Sequence, residues 1–299
     1  MGSSGFIGNR LARQLLKTNR VVGYSRNASD PLLSFPNYSH ITGDFTTEHQ
    51  FSSILSEQRV SCIYHCISTT TPQTGTAQAL SEVQENLLPT LRLLEAAVNC
   101  GVERLIFVSS GGTVYGEQRR TSKHRECDLL LPICSYGAQK ASIEAYLSVY
   151  HHIHGLNTII ARVSNPYGFD TRANRSQGII PIFLRALHEG QGITLFGDTV
   201  RDYIHVEDVI NALVRLKDYA GKGCIFNIGS GKGIRLQQLV LMIEELAQKK
   251  FQSIQYEPIR DCDVTSNILD VEYIQQELQW KPRIALKEGI LQLIHEMQI

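Results

Sequence analysis

Gly2, Gly5 and Gly8 stand three residues apart, directly before a helical pattern that runs from Asn9 to Lys17. Glycines so spaced at a helix start let backbone N–H groups close on a diphosphate, and the positive end of the helix stabilises its charge. A loop of this kind follows a buried strand, and no residues stand before Met1 to form one. In a doubly wound sheet that strand lies centrally, in the order 3-2-1-4-5-6. Its absence is expected to leave unpaired ladder groups on both neighbours and a slot in the core. Each stranded buried polar group costs about 1–3 kcal/mol, against a total stability of about 5–15 kcal/mol. The expectation is therefore an unstable or poorly loaded chain, and a natural product that starts several residues upstream of Met1. Intact mass and N-terminal sequencing of protein from its native source would test this.

The chain beyond the loop alternates strand and helix. Val21–Ser25, Cys62–Ile67, Arg104–Ser109 and Asn157–Arg162 read as strands, with Ile41–Asp44 as a further strand end. Between them lie long helical patterns over 77–99 and 136–154. Strands that are continuously apolar imply a parallel sheet covered on both faces. The pattern changes after Asn165-Pro166-Tyr167-Gly168 to shorter strands at Ile193–Phe196, Cys224–Ile228 and Ser253–Tyr256. Helices are predicted around 179–189, 206–219, 235–248 and 286–297. The predicted fold is α/β: a Rossmann-like doubly wound parallel sheet over 1–168, lacking its first strand, with a smaller C-terminal α/β substrate domain over 169–299. Within the latter, 198–228 is expected to pack back onto the first domain.

Composition removes several function classes. Lys+Arg and Asp+Glu both number 29 in 299 residues, so the basic excess of a nucleic-acid or anionic-membrane binder is missing. No apolar run approaches the roughly 18 residues of a membrane span, and no signal peptide is visible. The seven cysteines show no C-x-x-C pair, which suits a reducing cytoplasmic setting better than a disulfide framework. Cys62 and Cys66 share one face of a buried strand and read as core. His151, His152 and His154 precede Gly155 at a predicted helix end, where histidine suits the negative pole. They lack partners at ligand spacing, so no metal is expected.

The chemistry centres on Tyr136-Gly-Ala-Gln-Lys140. Four residues apart on a helix, Tyr136 and Lys140 share a face. A phenol with an ordinary pKa of roughly 10 is a poor base at neutral pH, and a nearby ammonium would depress it. Lowering it by about three units would correspond to roughly 4 kcal/mol. Upstream, Ser109-Ser-Gly-Gly-Thr-Val-Tyr-Gly116 closes a predicted strand.

Taken in order, GSSGFIG, FVSSGGTVYG, SYGAQK, ARVSNPYG, RDYIHVED, PIRDCD and ELQWKP make the chain resemble the extended short-chain dehydrogenase/reductase superfamily. Within it the resemblance is to nucleotide-sugar epimerases related to UDP-glucose 4-epimerase, and it covers essentially the whole chain. The resemblance implies a bound NAD cradled by Gly2, Gly5, Phe6, Ile7 and Gly8, with Ser25, Arg26, Asp44, Phe45 and Asn86 around it. It implies that Tyr136 takes the proton of the sugar 4-hydroxyl while hydride leaves carbon 4, and that Lys140 binds the nicotinamide ribose. It further implies a nucleotide-sugar substrate held by Asn165, Arg201, Arg260 and Asp263, the guanidiniums gripping a diphosphate. A homodimer through helices 77–99 and 136–154 is implied as well.

Three departures carry their own expectations. The position three before Val114, commonly Ser or Thr, is Gly111, so Ser110 or Thr113 must supply the hydroxyl. The end of the second strand reads Tyr24-Ser25-Arg26 in place of an acid, which tolerates a 2′-phosphate and admits NADP. A gate tyrosine of some glucose-type enzymes is Asn267, which leaves room for an N-acetylated sugar; equal turnover of glucose- and N-acetylglucosamine-type substrates by Asn267→Tyr would count against this. Gly112 and Thr113 stand where a dehydratase carries its Asp-Glu pair. The reading is a UDP-hexose or UDP-N-acetylhexosamine 4-epimerase, in the setting of polysaccharide synthesis. The rivals are an NADP-dependent keto-sugar reductase and a catalytically impaired dinucleotide binder.

Overall fold

The computed structural model describes residues 1–27, 30–71, 79–117, 123–169 and 178–299. Strands β1 (Val21–Ser25) and β2 (Tyr38–Thr42) pair in parallel. Strands β3 (Cys62–His65), β4 (Arg104–Ser110), β5 (Asn157–Val163) and β9 (Ile225–Ile228) form a second parallel sheet in that order. Leu105 and Phe107 of β4 pack on one side with Leu93, Leu94, Ile143 and Leu147. Ile106 and Val108 pack on the other with Val209, Leu213 and Leu216. The first side is covered by α2 (Phe51–Glu57), α4 (Leu88–Asn99) and α5 (Ser135–His154), the second by α1 (Phe6–Leu15) and α7 (Val206–Lys217). The five central residues of β4 are all buried, because helices cover both faces.

Between β1 and β3 no ladder forms among the described residues; the Met1–Ser3 backbone joins the two sheets. Gly2 and Ser3 N–H groups donate to Tyr24 O at 2.8 and 3.2 Å. The Met1 amine donates to Tyr64 O at 2.9 Å, and Cys66 N–H donates to Met1 O at 3.3 Å. These bonds satisfy the ends of both neighbours, while β1 and β3 keep β2 and β4 as their ladder partners.

The C-terminal elements build a separate core around Leu184, Leu195, Leu239 and Leu293. Here β8 (Val200–His205) pairs with β6 (Asn165–Tyr167), β10 (Gly233–Arg235) and β12 (Ser266–Asn267). Strand β7 (Ile193–Phe196) pairs with β11 (Ile254–Glu257). Helices α6 (Ile179–His188), α8 (Leu236–Ala247) and α10 (Leu286–Met297) cover them. Ile225–Ile228 and α7 return to the first sheet. Strand β8 escapes sequence detection because its R-D-Y-I-H run mixes charge with apolar residues, and α9 (Glu272–Leu278) because of its polar composition.

The helix expected over 77–99 is interrupted; residues 77 and 78 lie outside those described. It runs as α3 (Ala79–Glu82), a π turn over Val83–Leu87, and α4. Pro89 has no N–H to give the Glu85 carbonyl, and its ring crowds that oxygen. The wider turn relieves both, and π turns recur at functional sites.

A buried ion pair fixes α5 on this sheet. Arg162 of β5 donates from Nε and Nη2 to Glu144 Oε2 at 3.0 and 2.7 Å, with both side chains 3% exposed. Arg162 Nη1 also donates to Tyr115 Oη at 2.9 Å, and Tyr115 donates to Asn227 Oδ1 at 2.6 Å. Ser109 completes the set by donating to Glu144 Oε1. Removing one partner of such a pair leaves an uncompensated buried charge and costs about 3–5 kcal/mol. Chemical denaturation should accordingly show Glu144→Ala destabilised by about that amount; a loss below 1 kcal/mol would contradict the assignment.

Candidate active site

The loop residues fold into a tight turn against the start of α1. Gly5 N–H donates to Gly2 O at 2.8 Å, closing the turn, and Gly2 takes φ +79°, open to glycine with little strain. A Cβ on Gly8 would stand 2.0 Å from Gly2 O, so only glycine lets α1 approach the loop this closely. Gly5 caps α1 without a side-chain bond, leaving the first N–H groups of Phe6, Ile7 and Gly8 free of an internal cap. A glycine cradle before an uncapped helix fits a dinucleotide pyrophosphate. At the end of β1, Ser25 is buried with Oγ 2.9 Å from His40 Nε2, and Arg26 is exposed beside Asp44. Asp44 is also exposed, and the Thr46 backbone and hydroxyl bonds hold its carboxyl below the ordinary range. The Phe45 side chain belongs to the core, 5.1 Å from His65 between ring centroids. Any cofactor contact there falls to its backbone.

Asn86 is buried on the π turn. It accepts from Thr69 N–H at 3.0 Å and donates to Thr69 Oγ1 at 2.8 Å. It thereby pins the Ser68-Thr69-Thr70 segment that follows β3.

Helix α5 begins with Gly137 N–H donating to Cys134 Sγ at 3.4 Å. A Cβ at Gly137 would meet Thr113 O at 2.7 Å. The glycine between Tyr136 and Lys140 is thus what lets this helix lie against the Ser110–Val114 turn. Tyr136 is partly exposed, and the side chains of Ser68 and Ser110 stand near enough to its hydroxyl to favour the phenolate. Thr113 Oγ1, by contrast, is buried without a partner among the described residues. Of the two hydroxyls left open by Gly111, Ser110 is the one at Tyr136. Ser68 was missed in the sequence. Its signal was hydroxyl residues just past the carboxyl end of a buried strand, where open α/β sheets bind ligands.

Lys140 is 3% exposed. Its Nζ donates to Val108 O at 3.1 Å and lies 4.6 Å from the Phe107 ring centroid and 5.7 Å from that of Tyr136. Burial lowers it to about 8, against smaller upward pulls from Cys66, Glu144 and Glu82. In this structure the phenol is shifted in the direction opposite to the expected depression. Burial pushes Tyr136 up to about 12; Glu82 adds to the rise, while Ser68 and Ser110 oppose it. The ammonium lies 5.7 Å from the ring centroid, and desolvation is the largest cause of the shift.

Gly111 is small for a reason outside its own segment. A Cβ there would meet Leu269 Cδ1 at 2.6 Å and Arg162 O at 3.1 Å. Leu269 occupies the space a side chain would need. Asn267 is buried at 1% exposure and donates to Gly111 O at 3.0 Å, so it supports this turn from below. Asn165 approaches from β6, donating to Asp202 O at 2.9 Å. Its amide and the Ser110 hydroxyl both lie within 4.0 Å of a Cβ built on Gly112. Farther out, Arg260 Nε donates to Asp263 Oδ2 at 2.6 Å, with its guanidinium 5.1 Å from the Phe196 centroid. Arg201 on β8 is desolvated by its surroundings, and its charge is felt alongside those of Asp263 and Arg260. The structure therefore gathers two guanidiniums and one carboxylate from two sequence-distant segments.

Comparisons with known proteins identify the family and the fold. Residues 1–229 match the profile of the NAD dependent epimerase/dehydratase family. The chain is 32% identical over 308 residues to a dTDP-4-dehydro-6-deoxyglucose reductase of Escherichia coli, covering 99% of this chain and 96% of that one. It superposes with a TM-score of 0.91 and 28% identity on UDP-glucose 4-epimerase from Thermotoga maritima with UDP-glucose. The Thermus thermophilus UDP-glucose 4-epimerase in complex with NAD gives a TM-score of 0.90 and 27% identity. Each structural match covers 99% of this chain and 97% of the other. With the glycine cradle, the Tyr136–Lys140 helix and a family match over most of its length, the chain belongs to the NAD dependent epimerase/dehydratase family.

Proposed function

We propose that the protein is a nucleotide-sugar 4-epimerase using NAD, with a UDP-hexose or UDP-N-acetylhexosamine as substrate. The observation that carries this reading is Tyr136 on one helix with buried Lys140, its hydroxyl influenced by Ser68 and Ser110, with Ser110 and Asn165 grouped around Gly112. When bound, the nicotinamide accepts a hydride from the sugar and returns it. Tyr136 exchanges the proton of the sugar 4-hydroxyl, with Ser110 bonded to the same oxygen. A phenol raised to about 12 is a reservoir for that proton, and it ionises only when neighbouring positive charge lowers its cost. Lys140, an ammonium softened to about 8, supplies charge beneath the ring and a donor for a ribose hydroxyl. Arg201 and Arg260 grip the nucleotide diphosphate, and Asp263 orients Arg260.

The second reading, a keto-sugar reductase, draws support from the E. coli reductase likeness and from exposed Arg26 at the end of β1, where a 2′-phosphate is tolerated. One assay separates the two. Pure protein incubated with UDP- and dTDP-sugars should yield the 4-epimer with no net loss of NADH or NADPH. Stoichiometric loss of absorbance at 340 nm with a 4-keto sugar, and no epimer, would establish the reductase instead. Tyr136→Phe should lower kcat by about 10²–10⁴-fold, the range for a lost general acid–base.

Lys140 links this reading to stability. Its folded-state value, lowered from 10.5 to about 8, means that the unfolded chain binds more protons between those pH values. Stability from this group therefore rises with pH across that window, by about 3 kcal/mol. Lys140→Met should abolish turnover yet unfold at a higher temperature than wild type at pH 7. The gap should shrink as pH approaches 10; a less stable variant at pH 7 would refute the desolvation argument.

The same reading includes a homodimer through the outer face of α4 and α5. Helix α5 exposes Tyr146 at 42%, Val149 at 44% and Ile153 at 66%, and α4 exposes Leu88 at 43%, apolar side chains of the kind found at interaction surfaces. Light scattering should give twice the chain mass of 33.5 kDa, and Val149→Asp with Ile153→Asp should give the monomer.

A further inference from the structure

Glu82 closes α3 at the edge of the π turn and is 1% exposed. Its Oε2 accepts from Thr70 Oγ1 at 2.5 Å, and its Oε1 is buried without a partner among the described residues. Thr70 in turn accepts, through its carbonyl, a hydrogen bond of 3.1 Å from Ser68 Oγ. Ser68 is one of the two hydroxyls that favour ionisation of Tyr136. With Asn86 holding Thr69, the helix grips all of Ser68-Thr69-Thr70 from two positions four residues apart. Resting on the epimerase or reductase reading above, we propose that Glu82 is a positioning residue of this site. Its carboxyl fastens the Ser68–Thr70 segment that lies beside Tyr136.

The groups facing Glu82 are Tyr136 and Lys140 from α5, Cys134 just before that helix, and Glu85 on its own turn. Burial raises the Glu82 carboxyl, Lys140 draws it down, and Glu85 pushes it up. In return Glu82 raises both Tyr136 and Lys140. When Ser68 donates to Thr70 O, its lone pairs accept the Tyr136 proton. When Tyr136 ionises, the Ser68 hydroxyl can turn and donate to it. Fixing the segment therefore fixes a partner that serves both protonation states.

Glu82→Gln keeps an oxygen for Thr70 and deletes the charge, while Glu82→Ala removes both. With lysines ¹³C-labelled at Cε, the Lys140 signal, assigned by its loss in Lys140→Met, reads the charge without any turnover. Its midpoint, about 8 in wild type, should move to lower pH in Glu82→Gln; an unmoved midpoint would overturn the electrostatic role. In the epimerase assay the rising limb of kcat against pH should shift to lower pH in Glu82→Gln. Glu82→Ala should lose kcat at least tenfold with KM changed less than twofold, and wild-type kcat in that variant would overturn the fastening role. Should Glu82→Ala fail to fold by circular dichroism, Glu82→Gln decides alone. A wild-type protein inert towards every nucleotide sugar would sink the functional reading, and the Lys140 titration would still judge this one.

Discussion

Glu144 and Arg162 meet at 2.7 Å inside the first sheet, each 3% exposed, and their remaining valences are taken up by Ser109, Tyr115 and the Glu126 carbonyl. Through this one pair, α5 is keyed to β4 and β5. Tyr136 and Lys140 lie on that helix, and Ser109–Tyr115 is the segment they face. A pair buried so completely gains little net stability over an apolar substitute. What it supplies is register: a slip of α5 along the sheet would strand both charges. The position of the phenol relative to Ser110 therefore follows from an interaction that never touches it.

Desolvation governs the chemistry that this register sets up. Burial lifts Tyr136 to about 12 and lowers Lys140 to about 8. Both groups are thus biased towards their neutral forms, and small changes in nearby charge act strongly on them. Glu82 and the hydroxyls of Ser68 and Ser110 are the local levers on that balance. The supporting shell of Asn86, Thr69 and Thr70 is held by bonds of 2.5–3.0 Å, which keeps the levers in place.

Much of the fold was legible because buried parallel strands read as unbroken apolar runs. Val21–Ser25 and Ile193–Phe196 match to the residue. Strand β8 and the π turn were not legible. The first carries Arg201 and Asp202 in mid-strand, where partners from distant loops satisfy the charge: Asp202 accepts from Ser230, Gly231 and Leu269. The second depends on how one proline fits among its neighbours. In the site, Tyr136, Lys140 and the glycines announced themselves by spacing. Ser68 and Glu82 did not, because each matters only through a residue far along the chain.

The sequence by itself determined the class of fold, the glycine spacing at the start of α1 and the placing of Tyr136 and Lys140 on one helix face, since periodicity and short spacings are local properties of a chain. Tertiary structure alone decided which hydroxyls reach Tyr136, why residue 111 is glycine, and that the phenol is raised rather than lowered. Those outcomes rest on Leu269 filling the space beside Gly111, on Ser68 arriving from β3, and on the water excluded around α5. Packing volume and desolvation are sums over neighbours in space, and no window along the sequence contains them.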